Sequence, residues 1–499
     1  MTSNEPTLLG HPKGLFYLFF AELWERFSFY GMRALLTLYM VNVIFEALLN
    51  RDFATAAVYS SYGSLVYAGT VIGGRISDQL LGMRKSIFLG GILMALGHFV
   101  LAVEHNIAFF IALSLIIVGN AFFKPNISTF VGALYPDNDP RKDSGFTIFY
   151  MGINIGGWVA PLLCGWLAAT YGWHYGFGLA GFGMLAGLLF FYRGIRSGVF
   201  GDKGMAPDPA RLGQKIMGLS KERWVTVLSV LTVPVMALLL ASYSPVLNED
   251  NIVNLIFKGV GVLILIYLGY ILFQATAAER KKLFVAILIT LFMTIFWGFH
   301  ELSGSVITLF SARNVELTLM SAAQTNSLNS MFIILFAIPI SMLWTWLSRR
   351  NLNPRTPYKF GMGLLFAGVS FYVLAISGSS ANEQGMVPFT YLLVMYFLLS
   401  IGELFMSPVG LSKITSLSPK RIVAFMMGVW FLSSAFAFQV VGFIGKKLSV
   451  DSESAAAGGL QTLEIYTDGF MLIAQYSLGA GLLVLLFSPL MKRLMGDVH

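Results

Sequence analysis

The chain has 499 residues, of which 56% are hydrophobic and only 12% charged. Soluble domains carry roughly 25% charged residues, so the composition excludes a soluble protein, and apolar runs recurring to the end of the chain exclude a single-span anchor. The formal charge of +8 does not point to nucleic acid, because the cations sit between apolar runs rather than on one patch.

The apolar runs predict an all-α integral membrane protein of about fourteen spans in a lipid bilayer. They lie near 15–44, 54–80, 84–103, 107–134, 143–171, 174–193, 223–243, 253–275, 282–311, 321–348, 356–378, 388–416, 421–447 and 465–491. Residues 1–193 read as one six-helix bundle and 282–499 as another. Between them, 194–281 holds a polar, basic stretch and two extra spans, 223–275, whose interiors look like a spacer pair. A 6 + 2 + 6 plan points to a transporter with its site between the halves.

Lys and Arg clusters follow the even-numbered spans: Arg84 with Lys85, Arg141 with Lys142, the run from Arg193 to Lys221, Arg280 to Lys282, Arg349 to Arg355, Lys420 with Arg421, and Lys492 with Arg493. The alternate loops hold Glu46, Asp52, Glu104, Glu249, Asp250, Glu383, Asp451 and Glu453, with Lys446 and Lys447 as the main exception. Excess cations mark the cytoplasmic side, so both termini are expected there. The polar N-terminus, followed by an apolar run broken by charges, is not the pattern of a cleavable signal peptide. The single cysteine, Cys164, excludes an intrachain disulfide and reads as a small packing residue.

The first span carries Glu22, Glu25, Arg26 and Arg33. At about 100° per residue these fall with Phe29 and Tyr30 in an arc of roughly 140°. Four unpaired charges at the bilayer centre would cost on the order of 10 kcal/mol, so this face looks into a bundle or a watery cavity. It is either a structural ion-pair cluster or a path for protons and substrate.

Buried polar residues recur in other spans: Tyr59, Tyr62 and Tyr67; Asn120, Lys124 and Asn126; Tyr150 and Asn154; Trp297, His300 and Glu301; Asn326 and Asn329; Glu403 and Ser407; Trp430 and Gln439. Four intramembrane acids (Glu22, Glu25, Glu301, Glu403) face three cations (Arg26, Arg33, Lys124), which leaves one carboxyl to hold a proton. Acids and cations spread over both halves suit a zwitterionic ligand. Lone Tyr and Trp residues such as Tyr67, Tyr150 and Trp297 are more often packing groups than ligands. His300-Glu301 lacks the second histidine of a zinc helix, since Gly304 stands there, and no phosphate-loop run is present, so no metal, cofactor or ATP is expected. Asn126-Ile127-Ser128 fits a glycosylation pattern but lies within a span.

Read together, these residues form motifs. Glu22-Leu23-Trp24-Glu25-Arg26-Phe27-Ser28-Phe29-Tyr30 resembles the E-x-x-E-R-F-x-Y-Y signature of the proton-dependent oligopeptide transporter family, within the major facilitator superfamily. The stretches 73–82, 123–127, 146–154 and 402–410 resemble further motifs of that family, in the expected order. Its bacterial members have the superfamily fold with two extra helices between the six-helix bundles.

The resemblance implies a symporter of the bacterial inner membrane that imports di- and tripeptides with protons by alternating access. It implies no enzyme activity and no nucleic acid partner, and a monomer is expected. By matching motif, Arg33 and Lys124 would meet the peptide carboxylate, with Tyr30 and Asn154 nearby. Glu403 and Asn329 would meet the amino group, and Ser407 belongs to the same motif as Glu403. Tyr67, Tyr150, Trp297 and Trp430 would line side-chain pockets, while Glu22, Glu25, Arg26 and Glu301 would carry proton coupling. Three positions depart from the family: Phe29 replaces a usual Tyr, His300 and Leu302 flank Glu301 where an apolar residue and Gln are expected, and Ser330 replaces an expected Pro and straightens span ten. His300 reads first as a core histidine and second as a group titrating near neutral pH. Plant relatives of this superfamily move nitrate, which has no ammonium for Glu403; a transporter-like peptide sensor is the other alternative.

Overall fold

The structure, a computed structural model, describes residues 7–136, 139–242, 251–406, 410–419, 422–451 and 458–495. Among these, helices account for nearly all secondary structure, beside three two-stranded pairs of two residues per strand. The chain divides into two compact units, one of Met1–Tyr39 with Leu65–Ser242, the other of Met40–Ser64 with Tyr243–His499.

The first unit contains α1 (Lys13–Tyr39), the second part of α2 (Arg51–Ile76), α3 (Met83–Leu101), α4 (Asn106–Ala133), α5 (Lys142–Tyr171), α6 (Trp173–Arg196), a short α7 (Pro209–Gly213) and α8 (Lys221–Leu240). The second contains the first part of α2, α9 (Ile252–Gln274), α10 (Ala277–His300), α11 (Val306–Asn314), α12 (Ser327–Arg349), α13 (Thr356–Ala375), α14 (Phe389–Met406), α15 (Gly410–Leu417), α16 (Val423–Lys447) and α17 (Gly459–Met495). Among the described residues, 13 helical stretches are long and apolar enough to cross a bilayer. The 26-residue α2 reaches the same length, and its lower hydropathy reflects the polar residues it buries. The protein is therefore a multi-pass membrane protein of about fourteen spans.

Between helices surrounded by lipid, close backbone approach replaces the hydrophobic effect as the packing force, and it requires small residues. In the first unit α3 and α4 meet at Gly90 and Gly119, where a Cβ on either would lie 2.5 or 2.6 Å from the other's carbonyl oxygen. A Cβ on Gly156 of α5 would lie 2.5 Å from the Leu23 carbonyl oxygen, so α5 rests on α1 beside its charged face. Cys164 is buried against Gly31 of α1, the packing role expected of it. In the second unit Gly361 of α13 and Gly481 of α17 approach in the same way.

The polar stretch after α6 is not a free linker. Phe200 is buried among Leu15, Phe130 and Phe191, and Arg84 donates to the carbonyls of Gly201 and Lys203. The N-terminal hairpin is pinned by a 2.9 Å bond between His11 and the Tyr135 hydroxyl, and by Arg141 donating to the Gly10 carbonyl. In the loop before α5, the Arg141 guanidinium and amide hold the Asp139 carboxyl down at about 2.

Three findings depart from the expected spans. The run predicted as one helix near 282–311 breaks: α10 ends at His300, Glu301–Gly304 forms a 3-10 turn, and α11 restarts at Val306. The Ser303-Gly304-Ser305 sequence is the cause, with Ser305 outside helical geometry (φ −133°, ψ −96°). Thr308 Oγ1 donates 2.7 Å to the Ser303 carbonyl that the break frees. Span ten starts later than predicted, with α12 beginning at Ser327 and carrying Pro339 in its interior. Finally, α9 is no inert spacer. Its Asn254 is buried, and its Oδ1 accepts from Ser60 (3.2 Å) and Ser61 (3.1 Å) of α2 and from Gln439 (3.0 Å) of α16.

Candidate functional site

In the first unit the charged face of α1 is buried and largely self-compensated. Glu22 and Glu25 are fully buried and Arg26 nearly so. Arg26 donates through Nε and Nη2 to both carboxylate oxygens of Glu25 at 2.5 Å. Such a two-pronged pair is the strongest hydrogen-bonding geometry open to an arginine. Arg26 Nε also lies 3.6 Å from Glu22 Oε1, which takes a 2.5 Å bond from Lys124 Nζ of α4. Glu22 thus shares one oxygen between two cations, while its Oε2 has no hydrogen-bond partner. Two acids and two cations form a chain that can hold or pass a proton without leaving a bare charge in the bilayer.

Aromatic rings complete this face. The Arg26 guanidinium lies 4.9 Å from the Phe29 ring centre and 5.8 Å from that of Tyr30, and the Arg33 guanidinium lies 5.9 Å from Tyr30. Phe29, lacking the hydroxyl of the usual Tyr, still offers a π face to Arg26. Lys124 precedes Pro125, which has no N–H for the Ala121 carbonyl one turn back. Gly73 of α2 lies against that carbonyl so closely that a Cβ would clash with it. The motifs at 73–82 and 123–127 therefore meet in space and fix the helix that carries Lys124. On α5, Asn154 is buried and donates 3.0 Å to the Tyr150 carbonyl, while Tyr150 is about one-third exposed. Tyr67 is half-buried on α2.

In the second unit the helix break brings polar groups together. His300, Glu301 and Glu403 are each buried, between 5% and 7% exposed. Asn329 Nδ2 of α12 donates to Glu403 Oε2 at 3.1 Å and to Ser400 Oγ at 3.0 Å. Ser400 Oγ in turn points back to the Asn329 carbonyl at 3.3 Å. His300 Nε2 lies 3.0 Å from the same Glu403 oxygen and Nδ1 4.0 Å from Glu301 Oε1. The 3.0 Å approach is an ionic contact and not an aligned hydrogen bond, which neither ring nitrogen makes. The ring edge meets Trp297 at 4.9 Å and stacks on Phe296.

The structure thus joins Glu22, Glu25, Arg26 and Lys124 in one cluster and Trp297, His300, Glu301, Asn329 and Glu403 in another. Trp430, half-buried on α16, makes no ring contact or polar bond with the second cluster among the described residues. Ser407 lies outside the described residues. Lys124, assigned to a peptide carboxylate by its motif, is here bonded to the acid Glu22. Ser400 was missed, although its spacing of three residues from Glu403 places both on one helical face. Asp52 and Arg313 were also missed as a pair: Arg313 Nη1 and Nη2 meet the two Asp52 oxygens at 2.6 and 2.7 Å.

Comparisons with known proteins agree with one another. The sequence profile described as PTR2, POT family, matches residues 84–459. The chain is 37% identical over 501 residues to the uncharacterized transporter YclF of Bacillus subtilis, covering 98% of this chain and 96% of that protein. It is 35% identical to the peptide transporter YePEPT of Yersinia enterocolitica, over 90% of this chain and 91% of the relative. It is also 35% identical to a di-/tripeptide transporter of Lactococcus lactis, over 87% and 89%. Among solved structures, a peptide transporter POT in complex with sulfate superposes with a TM-score of 0.83 at 34% identity, covering 98% of this chain and 97% of that one.

Proposed function

Since the chain belongs to the POT family, we propose that it is a proton-coupled symporter that imports di- and tripeptides by alternating access. The observation that carries this reading is Glu403. It is a buried carboxylate on a membrane-spanning helix, held from one side by Asn329, and it suits the ammonium end of a zwitterion. A carboxylate is the natural partner of a peptide ammonium and cations that of its carboxylate. Nitrate offers nothing to Glu403, so peptide is favoured over an inorganic anion.

In this reading Arg33 and Lys124 take the peptide carboxylate, with Tyr30 and Asn154 beside them, and Glu403, Asn329 and Ser407 take the amino end. Tyr67, Tyr150, Trp297 and Trp430 surround side chains. Glu22, Glu25, Arg26 and Glu301 carry protons. Lys124 links the two tasks, because a peptide carboxylate that draws it away from Glu22 leaves that acid ready to bind a proton. Residues 1–193 and 282–499 act as the two moving halves, with 194–281 between them. The protein works as a monomer in the inner membrane with both termini cytoplasmic.

The test is uptake of a labelled dipeptide into proteoliposomes. Accumulation with an imposed inward proton gradient, abolished by a protonophore, is expected. Binding without flux under either condition would identify a sensor and overturn the transport reading.

A further inference from the structure

His300 is not a core histidine of the ordinary kind. Neither nitrogen of His300 has an aligned partner. Buried His98 also has neither ring nitrogen hydrogen-bonded, but no carboxylate lies in contact with it among the described residues. The His300 ring instead lies between two buried carboxylates, with Nε2 3.0 Å from Glu403 and Nδ1 4.0 Å from Glu301. It is also the last residue of α10, where the helix dipole favours a cation. The charge and position suit an imidazolium.

The groups facing the ring come from several elements. Glu403 approaches from α14, the neutral amide of Asn329 from α12 touches the same Glu403 oxygen, and Glu301 sits on the following turn. Phe296 and Trp297 cover the ring from its own helix. Among the described residues, α9, α13, α15, α16 and α17, which also pack on α10, bring no ion pair to the His300 ring.

We propose that His300 is the built-in cation of Glu403: its imidazolium occupies the carboxylate while no peptide is bound and gives way, as neutral imidazole, when a peptide ammonium takes that carboxylate. The inference deepens the peptide reading and rests on it. The exchange balances, since Glu403 keeps one cationic partner throughout and the proton leaving the ring nitrogen goes to solvent. His300 then makes amino-terminus recognition dependent on pH. Where the ring is protonated the ammonium must displace a proton, and its binding should weaken by about tenfold for each further pH unit of acidity. Where the ring is neutral, Glu403 is available without that cost.

The test compares alanyl-alanine with its des-amino analogue, which lacks only the ammonium. Binding to the full-length protein is measured by calorimetry from pH 5.5 to 8, in buffers of different ionisation enthalpy. In the wild type the preference for the dipeptide over the analogue should shrink as pH falls, and over the range in which it shrinks the dipeptide should release about one proton more than the analogue does. His300→Gln should flatten this preference and bind dipeptide more tightly than the wild type at pH 5.5, by about tenfold for each pH unit over which the wild type weakens. His300→Lys, a cation at every pH used, should lose the dipeptide preference throughout while still binding the analogue. The wild-type proton count needs no variant, so it decides the question even if a substituted protein does not fold. A wild-type preference that is flat with pH, or one whose pH dependence His300→Gln shares, overturns the role of His300 and leaves the peptide reading intact. Wild-type protein that binds no dipeptide at any pH overturns both.

Discussion

The ion pair between Asp52 and Arg313 should be the costliest polar contact to break in the second unit. Asp52, at the start of α2, is 2% exposed, and the Arg313 side chain, on α11, is 18% exposed. Two parallel bonds of 2.6 and 2.7 Å join them. Asp52 also accepts from the Val450 amide at 3.1 Å, and Arg313 donates to the Tyr466 hydroxyl at 2.8 Å. Removing one member of such a buried pair costs about 3–5 kcal/mol, chiefly because the other charge is left without compensation. The two single variants should differ. Arg313→Met leaves a fully buried carboxylate with only one amide donor, whereas Asp52→Asn leaves a partly exposed guanidinium that keeps Tyr466. The first should therefore sit at the upper end of the range and the second near its lower end. At roughly 2 °C per kcal/mol for a unit of this size, melting temperatures should fall by about 10 °C and 6 °C. The double variant Asp52→Asn with Arg313→Met removes both charges and should melt above Arg313→Met alone. The assay is thermal unfolding of purified protein in one detergent, read by intrinsic fluorescence and arranged as a double-mutant cycle. Losses that simply add, or single losses below about 2 °C, would refute a desolvated pair and reduce it to a surface contact of the kind worth under 1 kcal/mol.

Three further outcomes follow from the two buried clusters. Glu403→Gln should weaken binding of an unblocked dipeptide by at least about 30-fold, the lower end of the roughly 2–5 kcal/mol carried by a desolvated charged pair; a normal Kd in a direct binding assay would contradict the assignment. Arg33→Lys keeps the charge but loses the planar fork, so it should lower dipeptide affinity about tenfold, and C-terminally amidated peptides should be poor substrates for the wild type; equal uptake of amidated and free dipeptides removes Arg33 and Lys124 from this role. Glu301→Gln, which fixes the buried acid at the helix break in its neutral form, should abolish gradient-driven uptake and keep exchange of labelled for unlabelled peptide in the same vesicles, and intact gradient-driven uptake would clear Glu301 of an essential part in coupling.

Local pattern alone set much of this molecule. Apolar run length located the spans to within a few residues, because a helix in lipid must satisfy its backbone internally and needs about twenty residues to cross. The charged face of α1 was legible because helical periodicity is a property of one segment, and the motif around Glu22, Glu25 and Arg26 carried the family with it. Periodicity says that a charge faces inward but not which charge it meets. That Lys124 reaches Glu22, that Asn329 and His300 converge on one oxygen of Glu403, and that Asp52 grips Arg313 depend on how far side chains extend across helix contacts, and those contacts are set by glycines such as Gly73 and Gly156 on other helices. The break after His300 was equally hidden. Ser303, Gly304 and Ser305 permit it, and the Thr308 and Ser305 hydroxyls take up the Ser303 and Leu302 carbonyls at the break. The same reason explains Asn254, which in sequence is one polar residue in a greasy helix and becomes a shared acceptor only once α2 and α16 lie beside it.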